Sequence, residues 1–140
     1  MKPITLLEAE YVAHRLAAEL MNYDEPIADF STRYPNKLES CLEQPFVTYD
    51  GVELYPALLD KAILHFYLII KNHPFENGNK RMAVTVMLYF LYKNGKFIKA
   101  PADELYRIAV EVAKSDMPID DQVQLLKLSL APYIIDLKQI

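Results

Sequence analysis

One cysteine, Cys41, among 140 residues leaves no intramolecular disulfide framework and no cysteine-built metal cage. No leader pattern opens the chain, and with so little sulfur the sequence points to a reducing cytoplasm. The longest apolar run, 62–70, is broken by His65 and is far too short to span a bilayer, so no membrane partner is expected. A basic stripe is missing as well; net charge is −4 and the pI is near 5.3, which disfavours direct binding of nucleic acid. His, Asp and Glu nowhere fall at zinc spacing. Glycine is scarce: three residues against nine prolines imply many fixed helix boundaries and few flexible linkers. Repeats, low-complexity runs and blocks of like charge are all absent.

What is present suits one globular domain over residues 1–140. A hydrophobic fraction of 52% with mean hydropathy of +0.01 excludes disorder. A chain of this size buries roughly 70% of its unfolded surface and needs no staples.

Thr5-Leu6-Leu7-Glu8 reads as a capping box opening a helix to about residue 21, with Leu6, Ala9, Ala13, Leu16 and Leu20 as its apolar stripe. Residues 22–35 are polar, carry two prolines and read as a loop. A short helix over 36–44 is expected to stop before Pro45. Asp50-Gly51, set between β-favouring residues in 46–54, is a strong hairpin signal. Pro56 fits the first turn of a helix to Asn72. A second apolar helix over 80–94 ends at Gly95, where a C′ glycine belongs. Pro101 opens a helix to about Lys114, and Pro118 with Asp120 and Asp121 opens the last. The fold class is all-α: about six helices with a small β-hairpin flap.

The informative segment joins the two central helices. Pro74 disfavours helical geometry at His73, so the helix ends there with the imidazole at its mouth. Asn77-Gly78-Asn79 is turn chemistry, with Gly78 free to take positive φ. Residues 82–91 are then apolar nearly all round, as in a buried helix. Lys80 and Arg81 fall in that helix's first turn, where the dipole makes each cation cost about 0.3–1 kcal/mol. Backbone N–H groups from Gly78 to Arg81 point out of the same end. Donors, dipole and two cations at one spot are what a bound phosphate needs. Singly, each residue has an ordinary explanation as a solvated charge or a helix-terminal histidine. Together, at this spacing, they mark a site. His14, His65 and Cys41 are expected to be packing residues, and the ten tyrosines are too scattered to place.

The loop resembles the signature of the Fic (filamentation-induced) family: His73, Phe75, Gly78-Asn79 and Arg81. Lys80, directly after the asparagine, is similar to the Doc (death-on-curing) branch. The likeness spans about residues 36–97 and includes Leu54-Tyr55-Pro56, Lys61-Ala62, Ile70-Lys71-Asn72, Phe90-Leu91 and Asn94-Gly95. It implies a Fic-type helical domain that moves part of a nucleotide onto a hydroxyl of a target protein. Most Fic members transfer AMP; the Doc branch implies a toxin kinase using ATP and Mg²⁺ that phosphorylates a threonine of a translation elongation factor.

Carried over by this resemblance, His73 is the general base and Phe75 anchors the loop. Gly78, Asn79 and their amides line the anion hole, and Lys80 and Arg81 neutralise the phosphates. The flap, Thr48, Tyr49, Asp50, Gly51 and Val52, aligns the target by strand addition. Two positions depart. Asn77 stands where the family has an acidic Mg²⁺ ligand, which weakens the metal site. Val84 replaces an arginine common in AMP-transferring members. Phosphate transfer, AMP transfer and an anion-binding module without turnover all stay open. No Ser or Thr is followed by glutamate four residues on, as an internal inhibitory helix would require, so restraint is expected from a separate antitoxin protein.

Overall fold

The computed structural model describes residues 1–20 and 27–139. The expected helix end at Met21 and the first part of the 22–35 loop lie outside the described residues. Helix α1 covers 6–20. Thr5 caps it: its hydroxyl accepts from the Glu8 amide while the Glu8 carboxylate accepts from Thr5 N, the reciprocal box legible in the sequence. Between the α-helical pieces Leu6–Glu8 and Arg15–Leu20 lies a π-helical stretch, Ala9–His14. The extra residue in that wide turn moves the inward face, so Ala9, Ala13 and Ala17 are buried whereas Leu16 is 37% exposed. The stripe expected through Leu16 is corrected to Ala17.

Helix α2, Lys37–Glu43, starts at Asn36, whose φ of 67° is left-handed. The α-helix stops before Pro45 as expected, and a 3₁₀ turn, Gln44–Phe46, follows through that proline. Strands β1, Thr48–Tyr49, and β2, Val52–Glu53, pair antiparallel, with Tyr49 opposite Val52. Asp50 and Gly51 at their tip have φ of 55° and 79°, the two positive values a tight primed turn needs. Helix α3, Leu58–Asn72, begins two residues later than Pro56, which stays outside it. The cause is local: Lys61 N bonds to Ala57 O as the first helical link, and the Tyr55 carbonyl is occupied by the Lys61 ammonium.

Helix α4, Asn79–Lys93, ends at Asn94 and Gly95, the latter at φ 83° as expected. After it come β3, Lys96–Ile98; α5, Ala102–Lys114; α6, Ile119–Leu130; and β4, Ile134–Asp136. Strand β4 returns to pair antiparallel with β3, Phe97 opposite Ile135, a second small sheet that the sequence reading lacks. The fold is all-α, with six helices among the described residues.

Helices α3 and α4 form the centre, packed on one another and covered by α1, α2, α5 and α6. Ile63, Phe66, Ile69, Met82, Val86 and Phe90 are inaccessible to solvent. Glu8 ties α1 to α4 through Tyr89 Oη at 2.7 Å and Lys93 Nζ at 2.5 Å. Burial works against its charge, but the bonds from Lys93, Tyr89 and Thr5 prevail and hold its pKa down to about 2.

His65 is wholly buried on α3, its Nδ1 3.3 Å from the Cys41 carbonyl and its ring edge-on to Phe90 at 4.9 Å. Desolvation drives its pKa down to about 4 from 6.5. Between those values the unfolded chain binds a proton that the folded chain refuses. Stability is therefore complete above pH 6.5 and falls as pH drops toward 4, by about 3 kcal/mol in all. Urea unfolding at several pH values should show that decline, and it should vanish in His65→Gln. Glu8 acts in a lower window, between its ordinary 4.5 and about 2.

Candidate functional site

Asn72 is the last helical residue of α3, and His73 follows in left-handed geometry, φ 49° and ψ 64°. A β-carbon rarely takes that conformation, so the helix stops sharply and the exposed imidazole projects from its end. Pro74 is buried and its carbonyl accepts from Tyr34 N at 2.9 Å. Phe75 turns inward, 1% exposed, and packs on His14 at 5.5 Å and Phe30 at 5.8 Å between ring centres. His14 is itself fixed by a 2.8 Å contact from Nε2 to Ala28 O, which makes it a packing residue as expected.

Asn79 closes the loop. Its Oδ1 accepts from Phe75 N at 2.9 Å and its Nδ2 donates to Phe75 O at 2.8 Å. Its side chain is thereby engaged with the loop's own backbone, through its oxygen and one of its two amide hydrogens. Gly78, at φ 77°, stands at the head of α4. A β-carbon there would meet Ile27 Cγ1 at 2.4 Å, so backbone geometry and packing both require glycine. The first helical bond runs from Met82 N to Gly78 O at 3.0 Å. The amides just before it have no helical acceptor by construction.

A cleft of about 630 Å³ opens at this point, within the range of small-molecule sites. His73, Glu76, Asn77, Gly78, Asn79, Lys80 and Arg81 all line it. Arg81 is 4% exposed, and Lys80 is half-buried with no hydrogen-bond or ion-pair partner for its side chain among the described residues. Ile70 from α3, and Tyr106 and Ala113 from α5, complete the wall. Sequence reasoning missed these three; a faint signal exists, since Tyr106 and Ala113 are seven apart and share a helix face. Phe75 lies beneath the loop rather than in the cleft. The flap forms at Thr48, Tyr49, Asp50, Gly51 and Val52 but none of these residues lines the cleft.

Asn77 Oδ1 is buried and lacks any hydrogen-bond partner among the described residues. It is the only orphaned acceptor among the cleft's described side chains, and a hard cation accepts such an oxygen. The chemistry of the donor set nevertheless fails the test for Mg²⁺. One neutral amide brings no charge, the neighbouring Glu76 is exposed, and the described residues include no group of three His, Cys, Asp or Glu able to hold a metal.

The head of α4, with Lys80 and Arg81 in its first turn, and His73 at the end of α3 thus line one cleft. An all-helical fold with this loop is the architecture of the Fic/DOC family, whose sequence profile matches residues 6–91. The chain belongs to the Fic/DOC family. It is 34% identical over 85 residues to Toxin Doc of Mycolicibacterium smegmatis, an alignment covering 59% of this chain and 65% of that protein. The chain thus matches less than two thirds of that relative's length. No solved structure matches significantly. No described helix is long and apolar enough to cross a membrane.

Proposed function

We propose that the chain is a Doc-like toxin that transfers the γ-phosphate of ATP to a hydroxyl of a target protein. Support comes from one observation above the rest: a loop histidine and a doubly cationic helix start share one cleft. In this reading His73 takes the proton as the target oxygen attacks the γ-phosphorus. The bond from that phosphorus to its bridging oxygen breaks, and ADP leaves. Lys80, Arg81 and the amides at Gly78–Arg81 hold the negative charge spread over the phosphate oxygens. A threonine of a translation elongation factor is the proposed acceptor, and a separate antitoxin protein is the proposed restraint, as the name of the relative suggests.

The test is incubation of the purified chain with a bacterial lysate and ATP labelled at either the α- or the γ-phosphate. Label arriving from the γ position supports the reading. Label from the α position would replace it with AMP transfer, and nucleotide binding without transfer would leave an anion-binding module.

Asn77 makes a further demand on the reaction. Asn77→Asp adds a carboxylate where the orphaned amide oxygen lies. It should make transfer rise about tenfold with added Mg²⁺ while the native chain's rate stays flat, when both are measured across a metal titration.

A further inference from the structure

Lys61 is fully buried, and the proposed transfer has no use for it. Its Nζ donates to Pro45 O at 3.2 Å and to Tyr55 O, and sits 3.1 Å from Glu53 Oε1. The Phe46 ring centre lies 5.1 Å away. Two carbonyl oxygens accept from the ammonium and one carboxylate pairs with its charge.

The three oxygens are not scattered. Pro45 belongs to the turn that enters the flap, Glu53 to strand β2, and Tyr55 to the segment that leaves it for α3. The ammonium therefore grips both roots of the hairpin and one of its strands. Phe46 packs at one root on Phe90, 5.9 Å between ring centres, but the strands themselves have little else to hold them. The four strand residues are all exposed, and an isolated two-stranded ribbon is marginal in water. Leu54 N to Val47 O, at 3.3 Å, closes its neck.

We propose that Lys61 is a positioning residue: it pins the flap to α3, the helix that ends at His73, and so fixes where a target strand is offered relative to the imidazole. Lys61 and His73 are twelve residues apart on one rod, about 18 Å along its axis. A rigid helix with the flap locked at one position and the base at the other sets their separation without any contact between them. The proposal rests on the reading that the flap aligns the target protein.

Two variants and two readouts test it. Lys61→Met keeps the apolar stem and removes the ammonium; Glu53→Gln alters only the half-exposed partner and leaves both carbonyl bonds in place. In Lys61→Met, amide exchange at Leu54 should rise at least about tenfold while α4 amides keep their protection. The KM for the target protein should climb by about tenfold or more with ATP affinity held within about twofold. Glu53→Gln should move the same two quantities in the same direction by about threefold. Unchanged flap exchange in Glu53→Gln together with an unchanged target KM would overturn the proposal. So would a Lys61→Met chain that loses α4 protection and ATP affinity along with the flap, because that is the behaviour of a core residue. Should the native chain transfer nothing at all, the transfer reading fails, and the exchange measurement still decides whether Lys61 pins the flap.

Discussion

His73→Gly should abolish most transfer and leave the fold no less stable. The first half follows from chemistry. Removing a general base from the attacking hydroxyl costs about 10²–10⁴ in rate, so kcat should fall about a thousandfold. The second half follows from the backbone. At φ 49° and ψ 64° a side-chain-bearing residue is held in left-handed geometry that costs roughly 1–2 kcal/mol. Glycine takes that geometry freely, and the entropy it adds to the unfolded chain, about 0.5–1 kcal/mol, is no larger. The imidazole is exposed, so its loss opens no cavity. A residue that lowers stability where it stands is one held there for its chemistry. Chemical denaturation and single-turnover transfer on the same variant read the two halves separately. Retention of transfer within about tenfold would remove His73 from the base role.

Asn79→Ala should be damaging for the opposite reason. Its two bonds to the Phe75 backbone would be lost inside the protein, leaving a buried N–H and a buried C=O unpaired. Each costs about 1–3 kcal/mol, so a loss of roughly 2–6 kcal/mol is expected in urea unfolding. The loop would then no longer hold His73 against the head of α4, and misplacement by an ångström is enough to cost about a hundredfold in transfer. Asn79→Asp is expected to do little better, since it keeps the acceptor for Phe75 N but sets a carboxylate against the Phe75 carbonyl. A purely ligand-binding asparagine would behave otherwise: ATP affinity would fall and stability would hold.

The readable parts of this molecule are those where one residue type dictates local geometry. Thr5 with Glu8 forms its capping box, Pro74 ends α3, and Asp50-Gly51 turns the hairpin; Gly95 closes α4. The site loop was legible for the same reason, since Pro74 and Gly78 fix its two ends. What stayed hidden depends on partners far away in sequence. The π turn in α1, which lies against α4, and the burial of Ala17 beyond it carry no local signal in the sequence. The burial of Lys61 shows only once Pro45, Tyr55 and Glu53 are assembled around it. The β3–β4 pairing joins segments nearly forty residues apart, each three residues long, too short to show a period. The inward bonds of Asn79 are hidden too, because an amide reads alike whether it faces a ligand or its own loop.

The central claim is that the head of α4 and His73 form one polyphosphate site. Titrating ATP into the isotope-labelled chain and following its amide and histidine-ring resonances tests this most directly. Saturable shifts centred on Gly78, Asn79, Lys80 and Arg81, with the His73 ring moving in step, are the expected result. Shifts gathered elsewhere, with those five residues unmoved at saturating nucleotide, would contradict it.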